Sequence, residues 1–205
     1  MMRLTILFSV GALTALGGCA GNQETIKPDA FLAQYNLAHP SVTAVTYCSS
    51  HDCLERTDLS LNEREWSTIS QTLETPVKTP AEERIALSKA VAFYEKIAAA
   101  KAGTSGDRAR TGMNNNRQLD CIDESLNTTT LLLLLKDKGL IRYHSLAGTE
   151  GRGSSFDWPH FATSLKENQS GDIYILDSWF RDNGQPADVL PLAAWKDGWN
   201  PPGFK

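Results

Sequence analysis

The sequence lacks an excess of positive charge. Its 205 residues contain 20 Lys and Arg against 24 Asp and Glu, which gives a formal net charge of -4. Proteins that bind nucleic acid usually carry a basic surface, so this composition argues against that class. The hydrophobic fraction of 41% and the charged fraction of 21% are those of a folded protein. The length fits one ordinary domain and leaves little room for two.

Cysteine is scarce as well. There are four, Cys19, Cys48, Cys53 and Cys121, too few for a small scaffold held together by disulfides. Long apolar runs are missing beyond the first 18 residues, since Leu131–Leu135 covers only five positions. The sequence therefore predicts no membrane-spanning helix in the domain, and each cysteine calls for its own explanation.

The amino-terminal residues 1–18 have the pattern of a secretory signal. Arg3 supplies a positive charge, Leu4–Leu16 is apolar or small, and two glycines precede Cys19. This ending resembles the lipobox of bacterial lipoproteins, in which the cysteine is acylated and becomes the first residue of the mature chain. The resemblance implies export and a lipid anchor on Cys19, and Ala20 favours an outer-membrane location facing the periplasm. An ordinary signal peptide or an uncleaved anchor is the alternative.

The rest of the chain is expected to form a polar tether over residues 19–35 and one domain over residues 36–205. Capping patterns predict two helices, one starting at Ser60–Glu63 and one running from Thr79-Pro80 to Gly103. Strands are predicted at about 40–47, 141–146, 158–165 and 172–179. The tail after these strands is expected to wrap over the domain without adding an element. The predicted class is α+β, with helices packed on a small antiparallel sheet.

The segment that follows Asp120 has two interpretations. Its acidic start and the Lys-Gly pair at 138–139 favour a single helix. Thr128, Thr129 and Thr130 are poor helix formers, so a strand over residues 128–135 is the alternative. The helix is the favoured interpretation.

Three cysteines remain once Cys19 is assigned to lipidation. Cys48 and Cys53 have four residues between them, and in an oxidising compartment a local disulfide is the expected state. A zinc site built from Cys48, His51 and Cys53 is the alternative, although no fourth ligand is evident nearby. Cys121 is then left as a single free thiol.

Cys121 stands where a helix is predicted to begin, and a helix N-terminus stabilises a thiolate. A thiol nucleophile also needs a base, and the base needs a partner that fixes its tautomer. His160 starts one predicted strand and Asp177 ends the next, so neighbouring antiparallel strands would place them side by side. Asp172 and Asp182 are the competing carboxylates.

The order Cys, His, Asp on helix, strand and strand resembles the transglutaminase-like branch of the papain-like cysteine-enzyme superfamily. The resemblance rests on residues 119–124 (LDCIDE), on Pro159-His160 and on residues 174–179 (YILDSW). It implies Cys121 as nucleophile, His160 as general base and Asp177 as the orienting carboxylate. It also implies the Cys121 backbone N–H and the Gln118 side chain as oxyanion donors. Neither a metal nor an organic cofactor is implied.

These residues predict an exported, lipid-anchored cysteine peptidase or amidase that forms a thioester with a peptide or amide substrate, with hydrolysis favoured over transfer to an amine. Asp120, Asp123 and Glu124 crowd the thiol and are expected to raise its pKa. Two alternatives stay open: an amidase of peptidoglycan peptides, and a non-catalytic binding or scaffolding module of the cell envelope. Trp179 is expected to flank the cleft. Further residues are either solvated or hold an acidic substrate at the cleft mouth, namely Arg108, Arg110 and Arg117.

Overall fold

A computed structural model describes residues 25–74, 76–111, 117–153 and 159–203. The helices are α1 (Pro28–Gln34), α2 (Glu63–Glu74), α3 (Pro80–Ala102), α4 (Cys121–Asp137) and α5 (Leu192–Lys196). The strands are β1 (Val45–Ser49), β2 (Glu55–Leu59), β3 (His144–Arg152), β4 (His160–Glu167), β5 (Ile173–Asp177) and β6 (Asp188–Pro191). Helices accompany small antiparallel sheets, in agreement with the predicted α+β class.

The described strands form two sheets. β3, β4, β5 and β6 make a four-stranded antiparallel sheet in that order, and β1 pairs with β2 in a separate hairpin. The sequence predicted β1, β3, β4 and β5 with shifted ends, and residue 158, the expected start of β4, lies outside the described residues. It missed β2 and β6. β2 is mostly exposed and rich in charge, and β6 has four residues that end in a proline, so neither shows an apolar alternation.

Helix α4 passes through the centre of the domain. Its leucines pack with residues of α2, α3 and the large sheet in the main core, which includes Ile69, Leu87, Val91, Leu165 and Leu176. The three threonines that favoured a strand are buried within the helix, and the Thr129 and Thr163 hydroxyls are 3.1 Å apart. The helix prediction is thus confirmed over Cys121–Asp137, because burial against two sheets outweighs the poor propensity of threonine.

The ends of helix α3 are as predicted. The Thr79 side chain accepts a hydrogen bond from the Glu82 backbone at 3.2 Å, and Gly103 ends the helix in the left-handed region with φ 78°. For α2 the predicted cap was wrong by two residues. Asn62 Oδ1 accepts from the Glu65 N–H at 3.0 Å, and the Asn62 N–H donates to the Glu65 carboxylate at 2.8 Å. Asparagine is as good a cap as serine, so sequence alone did not separate the two positions.

Both ends of the domain were predicted incorrectly. Part of the predicted tether, residues 28–34, forms α1, and its Phe31 and Leu32 are buried beside Leu126 and Leu133 of α4. The fold therefore begins before residue 36. The tail adds α5, whose Trp195 is fully buried. Elements of five to seven residues are too short to show a helical period, which is why the sequence did not reveal them.

The predicted disulfide between Cys48 and Cys53 is confirmed. A zinc site on these cysteines and His51 is wrong, because both sulfurs are consumed in the bond. The four residues Ser50 to Cys53 all have positive φ, between 51° and 67°, a costly backbone conformation outside glycine. Asp123 accepts from the His51 and Cys53 N–H groups, each at 2.8 Å, and Asp120 accepts from the Asp52 N–H at 3.0 Å. Carboxylates at the start of α4 thus stabilise the loop.

A buried asparagine also joins α4 to β1. The Asn127 side chain accepts from the Cys48 N–H at 2.8 Å and donates to the Cys48 carbonyl at 2.9 Å. We expect Asn127→Ala to lower the free energy of unfolding by about 3 kcal/mol, since two buried backbone groups lose their partner. Urea denaturation measures the change. The exposed Asn168→Ala is the control, with an expected change under about 0.5 kcal/mol, and equal effects of the two substitutions would contradict this assignment.

No helix in the described parts of the chain combines the length and the apolar character needed to cross a membrane. The signal peptide predicted for residues 1–18 and the lipidation predicted at Cys19 lie outside the described residues.

Candidate active site

Cys121 is the first residue of α4. Asp120 caps the helix by accepting from the Ile122 and Asp123 N–H groups at 3.0 and 2.8 Å, and the Asp123 carboxylate accepts from the Asp120 N–H at 3.2 Å. This reciprocal capping box fixes the first turn of the helix. The thiol is therefore held at a rigid helix N-terminus, where the sequence placed it.

His160 and Asp177 meet across the sheet. His160 begins β4, Asp177 ends the neighbouring antiparallel strand β5, and His160 Nε2 lies 2.7 Å from Asp177 Oδ2. Both side chains are buried. The competing carboxylates lie elsewhere, because Asp172 is exposed and Asp182 pairs with Arg108 at 2.8 Å. Asp177 is thus the carboxylate that orients His160.

An indole from the tail completes this contact. The Trp195 Nε1–H donates to the same Asp177 oxygen at 2.8 Å, so the carboxylate accepts from two ring N–H groups when His160 carries its proton on Nε2. The sequence placed Trp195 in the tail without a role. The sequence could not predict the contact between Trp195 and Asp177, because this contact depends on how α5 folds back over β5.

Aromatic rings surround the His160 imidazole. Its centroid lies 4.7 Å from the Trp179 ring, 5.2 Å from the Phe180 ring and 5.4 Å from the Trp195 ring. Its Nδ1 atom is buried and has no hydrogen-bond partner among the described residues. With Nε2 bound to Asp177, the Nδ1 lone pair is available to accept a proton.

The Cys121 sulfur lies against the backbone that precedes this histidine. Sγ is 3.8 Å from the Pro159 carbonyl oxygen, and the side chain is partly exposed. Burial raises the pKa of the Cys121 thiol to about 12, and the charges of Asp120 and Asp177 act in the same direction, whereas backbone N–H groups of Phe161 and Cys121 lower it. The predicted rise in the thiol pKa is confirmed and Asp120 contributes to it as expected, but burial is the largest cause. The Asp123 carboxylate faces the disulfide loop.

Glu124 faces away from the thiol into an acidic cluster that the sequence did not reveal. Its carboxyl group accepts from the Ser178 hydroxyl at 2.6 Å and is hydrogen-bonded to Glu95 of α3, and Asp107 lies nearby. Burial raises the pKa of Glu95 and of Glu124, and it raises the pKa of Asp107 to about 7. A hydrogen bond between two carboxyl groups requires a proton, so Glu95 and Glu124 share one. Ser178, the residue after Asp177, donates to this pair.

The Gln118 amide lies against the loop that follows α3. Its Oε1 accepts from the Arg108 N–H at 2.9 Å and its Nε2 donates to the Gly106 carbonyl at 3.3 Å. These bonds fix the side chain immediately before the capped start of α4. Its role as an oxyanion donor stays a prediction.

A cleft of about 580 Å³ opens beside His160. Trp179 and Phe180 form part of its wall, so Trp179 flanks a cleft as expected, and positive side chains of Arg110, Arg152 and Lys196 line it as well. Among the described residues, the lining includes the histidine but not Cys121. The cleft thus gives solvent access to the side of the arrangement on which His160 lies.

Within the described residues, no group of three or more His, Cys, Asp or Glu side chains is arranged to hold a metal ion. Comparison with known proteins gives no match: no family model, no curated protein and no solved structure is similar to this chain.

Proposed function

We propose that this chain is an exported, lipid-anchored cysteine enzyme that hydrolyses amide bonds through Cys121, His160 and Asp177. The observation that carries the proposal is the 2.7 Å contact between His160 Nε2 and Asp177 Oδ2, with the opposite ring nitrogen buried and without a partner. The Cys121 thiol donates to the carbonyl of Pro159, the residue before this histidine, at 3.8 Å, and makes no hydrogen bond with His160 Nδ1. This arrangement supplies a nucleophile, a base and the carboxylate that orients the base. The disulfide is consistent with export.

In the proposed reaction, the Cys121 proton passes to His160 Nδ1 and the thiolate attacks the carbonyl carbon of the amide. The C–N bond then breaks, the amine leaves with the proton from Nδ1, and a thioester remains on Cys121. Water attacks the thioester, releases the carboxylic acid and restores the thiol. Asp177 stabilises the imidazolium throughout, and the Cys121 backbone N–H at the helix start is a donor for the developing oxyanion.

A non-catalytic envelope module is the second candidate. It is supported by the pKa of about 12 for the Cys121 thiol and by a cleft whose described lining omits Cys121. A thiol with that pKa is almost wholly protonated at neutral pH unless an imidazolium stabilises the thiolate. The two candidates therefore differ in whether His160 controls the ionisation of Cys121.

Alkylation of Cys121 by iodoacetamide across pH 5–10 tests the proposal. We expect the wild-type thiol to react at pH 6–7 and His160→Ala to react at least about 100-fold more slowly there, because the mutant thiol ionises only at high pH. The matched control is His39→Ala, whose imidazole is bonded to Asp137 at the far end of α4. A wild-type profile that His160→Ala leaves unchanged would show that the thiol is not activated, and would favour the non-catalytic module.

A further inference from the structure

We propose that the disulfide between Cys48 and Cys53 positions the Cys121 thiol, so that the chain acquires its reactive nucleophile only after this bond has formed. The inference rests on the proposed amide-cleaving function for its meaning in catalysis. It also states a structural coupling between the disulfide loop, residues 50–53, and the first turn of α4. This coupling can be measured without any reaction.

The disulfide loop has a backbone conformation that an open chain does not favour. All four of its residues have φ between 51° and 67°. L-residues other than glycine rarely adopt this left-handed region, and a run of four is more costly than a single one. The bond closes the loop across Cys48 and Cys53, which are five positions apart. A chain with two free thiols lacks this constraint, so its loop relaxes towards ordinary φ values.

The backbone N–H groups of the disulfide loop donate to residues on both sides of Cys121. The acceptors are one carbonyl and two carboxylates, at distances of 2.8–3.0 Å: Ser50 donates to the Gln118 carbonyl, Asp52 to Asp120, and His51 and Cys53 to Asp123. The direction of each N–H group is set by the φ values of the loop. Opening the loop therefore removes contacts from the residues before and after the nucleophile together.

Asp123 joins the disulfide loop to the cap of α4. Its buried carboxylate accepts from the His51 and Cys53 N–H groups of the loop and, at 3.2 Å, from the Asp120 N–H of the cap. A buried carboxylate that loses its donors either takes up a proton or moves towards water. Opening the loop therefore weakens the reciprocal cap between Asp120 and Asp123, and Cys121 lies between these two residues.

The position of the thiol depends on this first turn. Cys121 Sγ lies 3.8 Å from the Pro159 carbonyl, on the strand that carries His160. A displacement of about 1 Å between reacting groups can slow a reaction by about 100-fold. A loosened first turn therefore separates the thiol from its base and lowers its reactivity at neutral pH.

The bond forms when the Cys48 and Cys53 thiols are oxidised. Each thiol loses one hydrogen atom, and the two electrons and two protons pass to a disulfide-bearing oxidant, which becomes a dithiol. Disulfides form in the compartments that receive exported proteins and are rare in a reducing cytosol. Cys48 and Cys53 are 0% and 2% exposed, so a reductant has little access to the finished bond. The nucleophile therefore becomes reactive after export and remains so.

The first test compares the full wild-type chain with the double variant Cys48→Ala/Cys53→Ala. Iodoacetamide is applied at pH 6–7, and mass spectrometry follows the tryptic peptide 118–136, which carries Cys121. We expect the double variant to react at least about ten-fold more slowly. Asn127→Ala is the matched control, because it removes the bonds between α4 and the Cys48 backbone but leaves those of the disulfide loop. An equal loss in Asn127→Ala, or a double variant that reacts like the wild type, would overturn the proposal.

The second test measures the coupling through the equilibrium of the disulfide with dithiothreitol, and it keeps the disulfide cysteines. Asp123→Asn has one acceptor oxygen in place of two, so a loop N–H group loses its partner. Coupling is reciprocal, so the weakened cap also weakens the bond. We expect the Asp123→Asn disulfide to be reduced at least about ten-fold more readily, which corresponds to about 30 mV. The exposed Asp58→Asn, on strand β2, is the matched control and should leave the equilibrium unchanged.

The two tests separate the coupling from the catalysis. Equal dithiothreitol equilibria for wild type, Asp123→Asn and Asp58→Asn would overturn the proposal. A shifted equilibrium in Asp123→Asn, in a chain whose wild-type Cys121 resists alkylation at pH 6–7, would instead refute the amide-cleaving function and leave the coupling standing.

Discussion

Asp177→Asn is expected to slow the alkylation of Cys121 near neutral pH by at least about 100-fold while the chain remains folded. Asparagine retains an acceptor for the Trp195 indole but carries no charge to stabilise an imidazolium. Without the ion pair, no imidazolium offsets the burial that raises the pKa of the Cys121 thiol.

The measurement is the second-order rate of iodoacetamide with Asp177→Asn and with wild type, from pH 5 to pH 10. Asp172→Asn is the matched control, because this residue precedes the same strand and is exposed. We expect its profile to coincide with that of the wild type. Should Asp177→Asn react as fast as wild type at pH 6–7, the carboxylate has no part in activating Cys121, and the triad hypothesis fails.

The free energy of unfolding is expected to fall by roughly 3 kcal/mol or more between pH 5 and pH 8.5. Burial raises the folded-state pKa of Glu95, Glu124 and Asp107, so the folded chain holds protons that the unfolded chain has released. Their favourable contribution is complete below the unfolded pKa values near 4 and is lost as pH rises through the folded values, about 7 for Asp107. His39, whose pKa is raised by Asp137 and Asp29, adds in the same direction.

Urea denaturation at pH 5, 7 and 8.5 checks this slope. Glu95→Gln replaces the shared proton by a permanent amide donor, so we expect it to gain roughly 2 kcal/mol relative to wild type at pH 8.5 and little at pH 5. The exposed Glu74→Gln is the control and should leave the slope unchanged. Carboxylates with a lowered pKa, such as Glu65 and Asp182, change the free energy of unfolding only at lower pH. They therefore do not mask the fall in stability between pH 5 and pH 8.5. Stability that rises from pH 5 to pH 8.5 would contradict the protonated pair.

The sequence was informative where local chemistry determines the structure. Asp120 and Asp123 form a capping pattern around Cys121, and the four residues between Cys48 and Cys53 suit a local disulfide. His160 and Asp177 stand at the start and the end of two consecutive strands, and antiparallel pairing alone brings such ends together. For these residues, the positions in the sequence were sufficient to predict which side chains lie together.

The remaining features depend on contacts that no local pattern encodes. Trp195 and Arg152 belong to α5 and to the end of β3, and they meet the site only after the tail folds over the sheet. Glu95 lies in the middle of α3, where a glutamate normally faces solvent, so its pairing with Glu124 gives no signal in the sequence. The charged strand β2 is formed by pairing with β1 and not by burial of its own side chains.

If Cys19 carries a lipid, the early start of the fold limits the distance between the domain and the bilayer. The Thr25 hydroxyl bonds to the Glu150 carboxylate, and Ile26 is bridged to Thr149, so the chain is fixed to β3 from residue 25 onward. Cys19 precedes Thr25 by six residues, which span at most about 21 Å when fully extended. Glu150 also pairs with Lys196, which lines the cleft, so the point at which the chain is fixed lies beside the cleft. A lipid on Cys19 would therefore confine the cleft to the layer next to the bilayer, and only substrates that approach the membrane surface would reach it.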